Sequence, residues 1–193
     1  MLPHTYVALA ALTAIAVGCA RSVPVSAANP SVVAGATATL LDSSGRRVGT
    51  VTATPAAAGG VALLITVVGL PPGAHGVHVH AVGACDASPS PAFSSAGAHY
   101  NPGAKQHGRL NPNGWHGGDL PNILVDSATR NGLLEAVAES LTLNTGATAL
   151  LDNNGSAIIV HANRDDERTD TGPLGPGNSG ARIACGVFRA APP

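Results

Sequence analysis

Residues Val61–Val68 read VALLITVV, a run of aliphatic and β-branched residues with a glycine on each side. Two similar runs precede it, ATATLL at Ala36–Leu41 and VGTVTA at residues 48–53. The turn formers Ser43-Ser44-Gly45 and Ala58-Gly59-Gly60 separate the three runs. Short apolar or alternating runs between turn residues are typical of antiparallel strands joined by short links. These three segments therefore predict the start of an antiparallel β-sheet.

Five later segments have the same character and lie at residues 76–81, 123–126, 133–138, 156–161 and 181–188. Two connections, residues 82–121 and 162–180, are far longer than a turn. Loops of more than about 15 residues in a compact domain are usually functional. Seven or eight short strands predict an all-β sandwich or barrel, and most of the histidines lie in its first long connection.

The composition narrows the class of protein further. The chain has 193 residues, 45% of them hydrophobic, which is enough to bury a core. Charged residues make up 11%, against roughly 25% in average soluble proteins, and this argues against a disordered chain. A formal net charge of -1 offers no basic surface for phosphates, so nucleic acid is not an expected partner. Eight histidines are the conspicuous excess.

The N-terminal residues predict an export signal. Residues 7–17 are uncharged and mostly apolar, too few to span a membrane, which takes about 20 residues, and Gly18 and Cys19 follow them. This pattern resembles the bacterial lipoprotein signal, in which the cysteine is lipidated. It predicts a signal peptide at residues 1–18, a lipid-anchored flexible tether at residues 19–31 and one domain at residues 32–193. The alternatives are an ordinary signal peptide cleaved near Ala28 and an uncleaved, buried N-terminal helix.

The predicted export also bears on how the cysteines pair. With Cys19 set aside, Cys85 and Cys185 remain, and a pair in an exported protein predicts a disulfide. A link across so long a loop would stabilise the fold by roughly 4 to 5 kcal/mol in the chain-entropy model. Two unpaired, buried thiols are the alternative.

The histidine spacing points to metal chemistry. His78 and His80 are two residues apart on a predicted strand, so their side chains project from the same face. Such a spacing also arises by chance among surface or core histidines. The long connection adds the nitrogen and oxygen donors of a closed tetrahedral zinc site, which are His99, His107, His116 and Asp119. His161 ends the predicted strand at residues 156–161.

Five motifs stand in the order found in the copper,zinc superoxide dismutases, and the sequence resembles that family. They are GVHVH at residues 76–80, AHYNP at 98–102, HGGDL at 116–120, VH at 160–161 and GARIACGV at 180–187. The resemblance implies an all-β fold, an antiparallel eight-stranded Greek-key sandwich or barrel with two long functional loops. It also implies a superoxide dismutase that converts superoxide to oxygen and hydrogen peroxide by cycling Cu(II) and Cu(I).

The resemblance implies one copper and one zinc per subunit. The implied copper ligands are His78, His80, His99 and His161, and the implied zinc ligands are His99, His107, His116 and Asp119. His99 would bind both metals and carry a proton to the departing peroxide, and zinc would have a structural role.

Three further expectations concern residues around the metals. By resemblance, Asp165 hydrogen-bonds one ligand of each metal, His78 and His107. Arg182 would stand over the copper and attract the superoxide anion. Loop cations could add to the attraction of the anion, and the candidates are Lys105, Arg164 and Arg168.

The expected partners are superoxide as substrate and a membrane reached through a lipid on Cys19, in the cell envelope or periplasm, where the enzyme would provide antioxidant defence. A monomer and a homodimer both remain open. Three other functions are alternatives. They are a copper carrier or store on the same fold, a catalytically inactive structural domain tethered by lipid, and a zinc hydrolase. Arg182 argues against the carrier, the full ligand set against the inactive domain, and the closed zinc site against the hydrolase.

Overall fold

The computed structural model of the chain describes residues 34–192 apart from residues 89, 169, 171, 173 and 174. Within that part the chain forms ten strands and two short 3-10 turns. The strands are β1 (Ala36–Leu41), β2 (Arg47–Pro55), β3 (Val61–Val68), β4 (Gly73–His75), β5 (Val77–His80), β6 (Ile123–Val125), β7 (Asn131–Ala138), β8 (Ala157–His161), β9 (Arg182–Val187) and β10 (Arg189–Ala190). The 3-10 turns are Ser94–Ala96 and Pro176–Asn178.

Every strand pairs antiparallel, in the order β4-β6-β7-β3-β2-β1-β9-β8-β5, and β10 pairs with β1. β3 pairs with β7 rather than with β4, as a Greek-key connection requires. β4 and β5 lie at the two ends of this order, yet only Gly76 separates them in sequence. One continuous stretch of chain thus joins both ends and nearly closes the sheet into a barrel.

The all-β antiparallel prediction is confirmed, with two short strands beyond the predicted eight. The predicted strand at residues 76–81 begins earlier, as β4, and is interrupted at Gly76. The interruption arises because β4 pairs with β6 whereas β5 pairs with β8. The second extra strand, β10, covers two residues beside β1.

Strands β1, β2, β3 and β7 form a region that we call the open wall. Side chains on β1 and β3 alternate between buried and exposed or partly exposed. Leu40, Val51 and Ile65 point into the core, and Val51 and Ile65 are direct partners across β2 and β3. Burying one such side chain contributes roughly 1.5 to 3 kcal/mol. Because of this alternation, one face of the open wall contributes its apolar side chains to the core.

Strands β5 and β8 form the covered wall, and every residue in them is buried. One face packs into the core through residues such as Val79 and Ile158. The other face is covered by two loops, the first long loop (residues 81–122) and the second long loop (residues 162–181). The first long loop also pairs with the edge of β5, because Val79 N donates to Gly118 O at 2.8 Å and Tyr100 N donates to Val79 O at 2.8 Å.

A second, smaller apolar cluster lies around the disulfide. Phe93 and Ala96 of the first long loop pack there with Ile159 and Cys185. Cys85 and Cys185 form the predicted disulfide, with their Cα atoms 5.7 Å apart. The beginning of the first long loop is therefore tied to β9 by a covalent bond as well as by packing.

The predicted signal peptide, the tether and Cys19 lie outside the described residues. Among the helical segments of the described chain, none is long and apolar enough to cross a membrane.

Candidate metal centre

Four histidines converge on the outer face of the covered wall, and we call them the four-histidine group. They are His78, His80, His99 and His161, all buried, with one ring nitrogen of each within 4.8 Å of the others. β5 supplies His78 and His80, and the end of β8 supplies His161. An antiparallel bridge between His80 and His99 brings in the fourth from the first long loop.

The free nitrogens of this group fit a metal ion. His80 Nδ1 donates to Gly97 O at 2.9 Å, and His161 Nδ1 donates to Gly180 O at 3.0 Å. These bonds leave the opposite nitrogens, His80 Nε2 and His161 Nε2, buried and without a hydrogen-bond partner among the described residues, as is His78 Nδ1. Buried polar atoms are rarely left unpaired. Three unpaired lone pairs in one cluster of imidazoles suit a metal such as copper.

A second set of donors adjoins the first. His78, His99, His107 and Asp119 also place one ligand atom each within 4.8 Å of the others. His116 lies beside them, since its Nδ1 is 3.3 Å from Asp119 Oδ1 and 3.4 Å from His99 Nδ1. We call His99, His107, His116 and Asp119 the histidine–aspartate group. Three imidazoles and a carboxylate are donors that zinc accepts.

The backbone explains the sequence His116-Gly117-Gly118-Asp119. A bridge pairs His78 with Asp119, so the loop runs directly against β5. A Cβ atom at position 118 would overlap the Val79 carbonyl oxygen, so only glycine allows this approach. The close approach carries the Asp119 carboxylate to the histidines.

The electrostatics keep three of the histidines, His80, His99 and His161, neutral at neutral pH. Burial, reinforced by neighbouring His99, holds the pKa of His80 well below its ordinary value. Burial and nearby His78 do the same for His161. Burial, with His78 next in effect, lowers the pKa of His99 to about 3. A metal ligand must be deprotonated, so these neutral rings are ready to coordinate.

The two carboxylates stay ionised for the opposite reason. Burial alone would raise the pKa of Asp119, but hydrogen bonds to His107, His116 and His99 outweigh it and hold the pKa well below the usual range. Asp165 behaves alike, because bonds to His107 and His78 overcome burial and lower its pKa. The same carboxylates outweigh burial at His107 and raise its pKa to about 9. The surroundings of His107 therefore favour a positive charge, either a proton or a metal ion.

Asp165 lies between the two groups. Its Oδ2 is 2.5 Å from His78 Nε2, and its Oδ1 is 3.1 Å from His107 Nε2. The structure thus brings Asp165 to the two histidines that the resemblance implied. A carboxylate on the far nitrogen fixes the orientation and tautomer of a ligating ring.

Arg182 lies in the cleft that leads to the four-histidine group. The cleft has a volume of about 450 Å³, and its lining includes His80, His99, His161 and Arg182. The guanidinium donates to Phe93 O and to Gly97 O, both at 2.6 Å. Burial lowers the pKa of Arg182, but a guanidinium remains charged at neutral pH. Gly97 O also accepts from His80, so one carbonyl positions both residues.

The three predicted loop cations are at the surface. Arg164 and Arg168 are exposed. Lys105 lines a separate cleft with Trp115 and Glu139. None of the three lines the cleft that contains Arg182.

Several supporting groups were missed by the sequence reasoning. The carbonyls of Phe93 and Gly97, which hold Arg182, belong to the main chain and leave no mark on residue type. Asn122, which hydrogen-bonds Asp165, follows HGGDL by two residues but belongs to no recognised motif. A further buried histidine, His75, lies outside both groups, with Nδ1 2.7 Å from His161 O and Nε2 2.9 Å from Pro71 O.

Comparison with known proteins places the chain in a family. Residues 47–188 match the family model described as copper/zinc superoxide dismutase (SODC). Superoxide dismutase [Cu-Zn] of Caulobacter vibrioides is 43% identical over 157 residues, which cover 80% of this chain and 85% of the relative.

Solved structures give the same result. A crystal structure of a SOD-like protein from Bacillus subtilis has a TM-score of 0.70 and 35% identity, and the match covers 78% of this chain and 96% of that one. Cu/Zn superoxide dismutase from Brucella abortus has a TM-score of 0.60 and 31% identity, over 78% of this chain and 97% of that one. The chain therefore belongs to the copper/zinc superoxide dismutase family, whose members are oxidoreductases that use copper and zinc to dismute superoxide.

Proposed function

We propose that the four-histidine group holds the copper of this superoxide dismutase and that the histidine–aspartate group holds its zinc. The observation that carries the copper assignment is the convergence of His78 Nδ1, His80 Nε2 and His161 Nε2, all buried and unpaired. When bound, copper supplies one-electron chemistry that converts two superoxide anions and two protons to oxygen and hydrogen peroxide, and zinc supplies charge without redox chemistry.

His116, rather than His78, completes the zinc site in this proposal. His78 contributes Nδ1 to the four-histidine group, and its Nε2 is engaged by Asp165, so neither nitrogen remains for a second metal. His116 Nδ1 is in direct contact with His99 Nδ1 and with Asp119 Oδ1. The side chain of His116 is 12% exposed, which still leaves it largely shielded from water.

His99 is the proposed ligand of both metals. Its Nδ1 faces Asp119 Oδ1 at 2.9 Å, which leaves Nε2 for the four-histidine group and the cleft. Because its pKa is about 3, the ring carries no extra proton at neutral pH when it is buried among the other histidines. Because Nε2 lies on the side of the ring that faces the cleft, it is the proposed atom that would take up a proton during turnover and pass it to the product.

Arg182 is the proposed anchor for the substrate anion. Among the described residues that line the cleft, it is the one lysine or arginine, and its two bonds to carbonyls fix it there. An attraction of this kind raises the association rate of an anion and weakens as salt screens it.

The site of action is proposed from the N-terminal sequence. The apolar run that ends at Gly18 and Cys19 supports export and lipid attachment, and hence antioxidant defence of the cell envelope or periplasm. Fractionated cells test this proposal. Wild-type chain found entirely in the cytosol, with no lipid on Cys19, would contradict it.

The enzymatic proposal is tested on the full chain, produced with copper and zinc supplied and assayed for both metals. We expect rapid, copper-dependent decay of superoxide, lost in the variant His78→Ala together with copper. If superoxide persisted despite one copper and one zinc per chain, the copper-carrier function would replace the enzymatic one.

A further inference from the structure

The side chain of Asn122 holds the main chain of Asp165 at both of its polar groups. Asn122 Oδ1 accepts a hydrogen bond from Asp165 N at 2.7 Å. Asn122 Nδ2 donates to Asp165 O at 3.0 Å and to Glu167 Oε1 at 3.0 Å. Asn122 lies at the end of the first long loop, next to β6, whereas Asp165 and Glu167 lie in the second long loop. One half-buried amide therefore fastens the two loops to each other.

The position of the Asp165 main chain determines what its carboxylate can reach. An aspartate side chain is short, and the two oxygens of Asp165 are already divided between His78 and His107. The main chain at Gly177 packs directly against the carboxylate, because a Cβ atom there would overlap Asp165 Oδ1. A shift of the main chain would therefore be transmitted directly to both histidine contacts.

Glu167 strengthens the same connection between the loops. Its main-chain oxygen accepts a hydrogen bond from Leu110 N at 2.9 Å, and its carboxylate accepts one from Asn122. Asp165 Oδ1 in turn accepts from Glu167 N at 2.6 Å. Asp165 is thus held by Glu167, two residues further along the same loop, and by Asn122 from the other loop.

We infer that Asn122 is a positioning residue for both metal sites, acting through Asp165. By fixing Asp165, it sets the orientation of His78 in the four-histidine group and of His107 in the histidine–aspartate group. The inference rests on the proposed function, because it takes these groups to be the copper and zinc sites. Residues that orient metal ligands commonly account for a 10- to 100-fold change in metal affinity or activity.

The test uses the variant Asn122→Asp. It keeps the shape and the Oδ1 acceptor but replaces the Nδ2 donor with an oxygen that faces Asp165 O and the Glu167 carboxylate. Zinc affinity is measured by competition with a chromophoric chelator, without any activity assay. We expect a roughly 10- to 100-fold loss of zinc affinity. We also expect a shifted Cu(II) visible spectrum in the copper-loaded variant, because His78 is no longer held.

Asn101→Asp is the matched control. Asn101 holds the main chain of Lys105 in the same way, with Nδ2 donating to Lys105 O at 2.8 Å and Oδ1 accepting from Lys105 N at 2.9 Å. It lies in the same loop, and these side-chain hydrogen bonds go to Lys105 rather than to Asp165. Asn101 lines the cleft, but the bonds that the variant loses hold Lys105 and not a candidate metal ligand, so we expect its zinc affinity to stay within about twofold of wild type. An equal loss in both variants would mean general loosening of the loop and would overturn the inference.

A double-mutant cycle with Asp165→Asn asks whether Asn122 acts through Asp165. If it does, the double variant binds zinc no more weakly than Asp165→Asn alone, whereas independent, multiplying losses would overturn the inference. Should Asn122→Asp fail to fold, Glu167→Ala removes one of the Asn122 bonds and is expected to weaken zinc binding in the same direction. No change in that variant would count against the inference. A folded wild-type chain that binds no zinc would overturn the proposed function, and this inference with it.

Discussion

The open wall and the covered wall are parts of one sheet with opposite burial. On the open wall, β1 and β3 alternate, with residues such as Leu40 and Ile65 inside and Leu64 facing outward, 41% exposed. On the covered wall, β5 and β8 are buried at every position. The difference lies in what covers the outer face, which is solvent in one case and the two long loops in the other.

This contrast explains how the barrel can bury polar side chains such as the histidines of the covered wall. A buried polar group must find partners, and loops rich in main-chain carbonyls and carboxylates supply them. The rings of His78, His80 and His161 are each held at one nitrogen by such a group and remain free at the other. The covered wall can hold a metal ion because its loops hydrogen-bond one nitrogen of each ring and leave the other nitrogen free to coordinate.

The largest effect is expected from His99→Ala, which removes the residue common to both groups. We expect superoxide decay to fall by more than about 100-fold, the upper range for residues that only support a ligand, with loss of copper and of zinc. The measurement is a decay assay together with metal content. His80→Ala is the comparison, because His80 belongs to the four-histidine group alone and its loss should leave zinc in place. Retention of both metals by His99→Ala would contradict the shared role.

Arg182→Met separates attraction of the anion from metal binding on the covered wall. We expect turnover at low salt to fall by roughly 10- to 10³-fold, the range that electrostatic steering spans, with both metals retained. The remaining activity should depend less on ionic strength than that of wild type. The measurement is the decay rate as a function of salt. An unchanged salt dependence would show that other charges, such as the exposed loop cations, guide the anion.

Ile65→Ala tests the open wall, where the fold should suffer without the site. Ile65 is fully buried in β3, and its truncation should lower the free energy of unfolding by about 2 to 5 kcal/mol. Denaturant unfolding of the metal-loaded protein measures the loss. Under native conditions the metal content and the superoxide decay rate should match wild type. If zinc or copper affinity fell in proportion to stability, the two walls would not be separable.

The sequence predicted two strands of the open wall at their observed bounds but missed the break that precedes β5 of the covered wall. Two predicted strands, Ala36–Leu41 and Val61–Val68, have the observed bounds of β1 and β3, because alternation and flanking turns determine such strands locally. The predicted strand at 48–53 is longer in the structure, at Arg47–Pro55. The interruption at Gly76 escaped prediction, since it depends on two partner strands that are distant in sequence.

The candidate site shows the same limit. The candidate ligands that the structure brings together were singled out because imidazoles at these spacings indicate metal chemistry and match a known family. The groups that hold the ligands could not be predicted in this way. The Gly97 carbonyl belongs to the main chain, which every residue type has, so the sequence does not mark it. Asn122 contacts Asp165 only because the second long loop packs against the first.

The smallest effect is expected at Asp42, in the turn between β1 and β2 of the open wall. Hydrogen bonds from Ser44, and then from Arg46, lower its pKa from the ordinary 3.8 to about 2. A carboxylate with a depressed pKa stabilises the folded state fully above pH 3.8, and this contribution disappears as the pH falls through about 2. Asp42→Asn keeps Oδ1 as an acceptor for the main chain of the turn, and it removes both the charge and the Oδ2 atom that accepts from Arg46 Nε. We therefore expect it to be slightly less stable than wild type at neutral pH, by less than Ile65→Ala, with the difference vanishing between pH 4 and pH 2.

Because both proteins share the titration of Asp119 and Asp165, the difference between the unfolding free energies of wild type and Asp42→Asn isolates Asp42. A difference that persisted unchanged at pH 2 would assign the effect to lost hydrogen bonds rather than to charge.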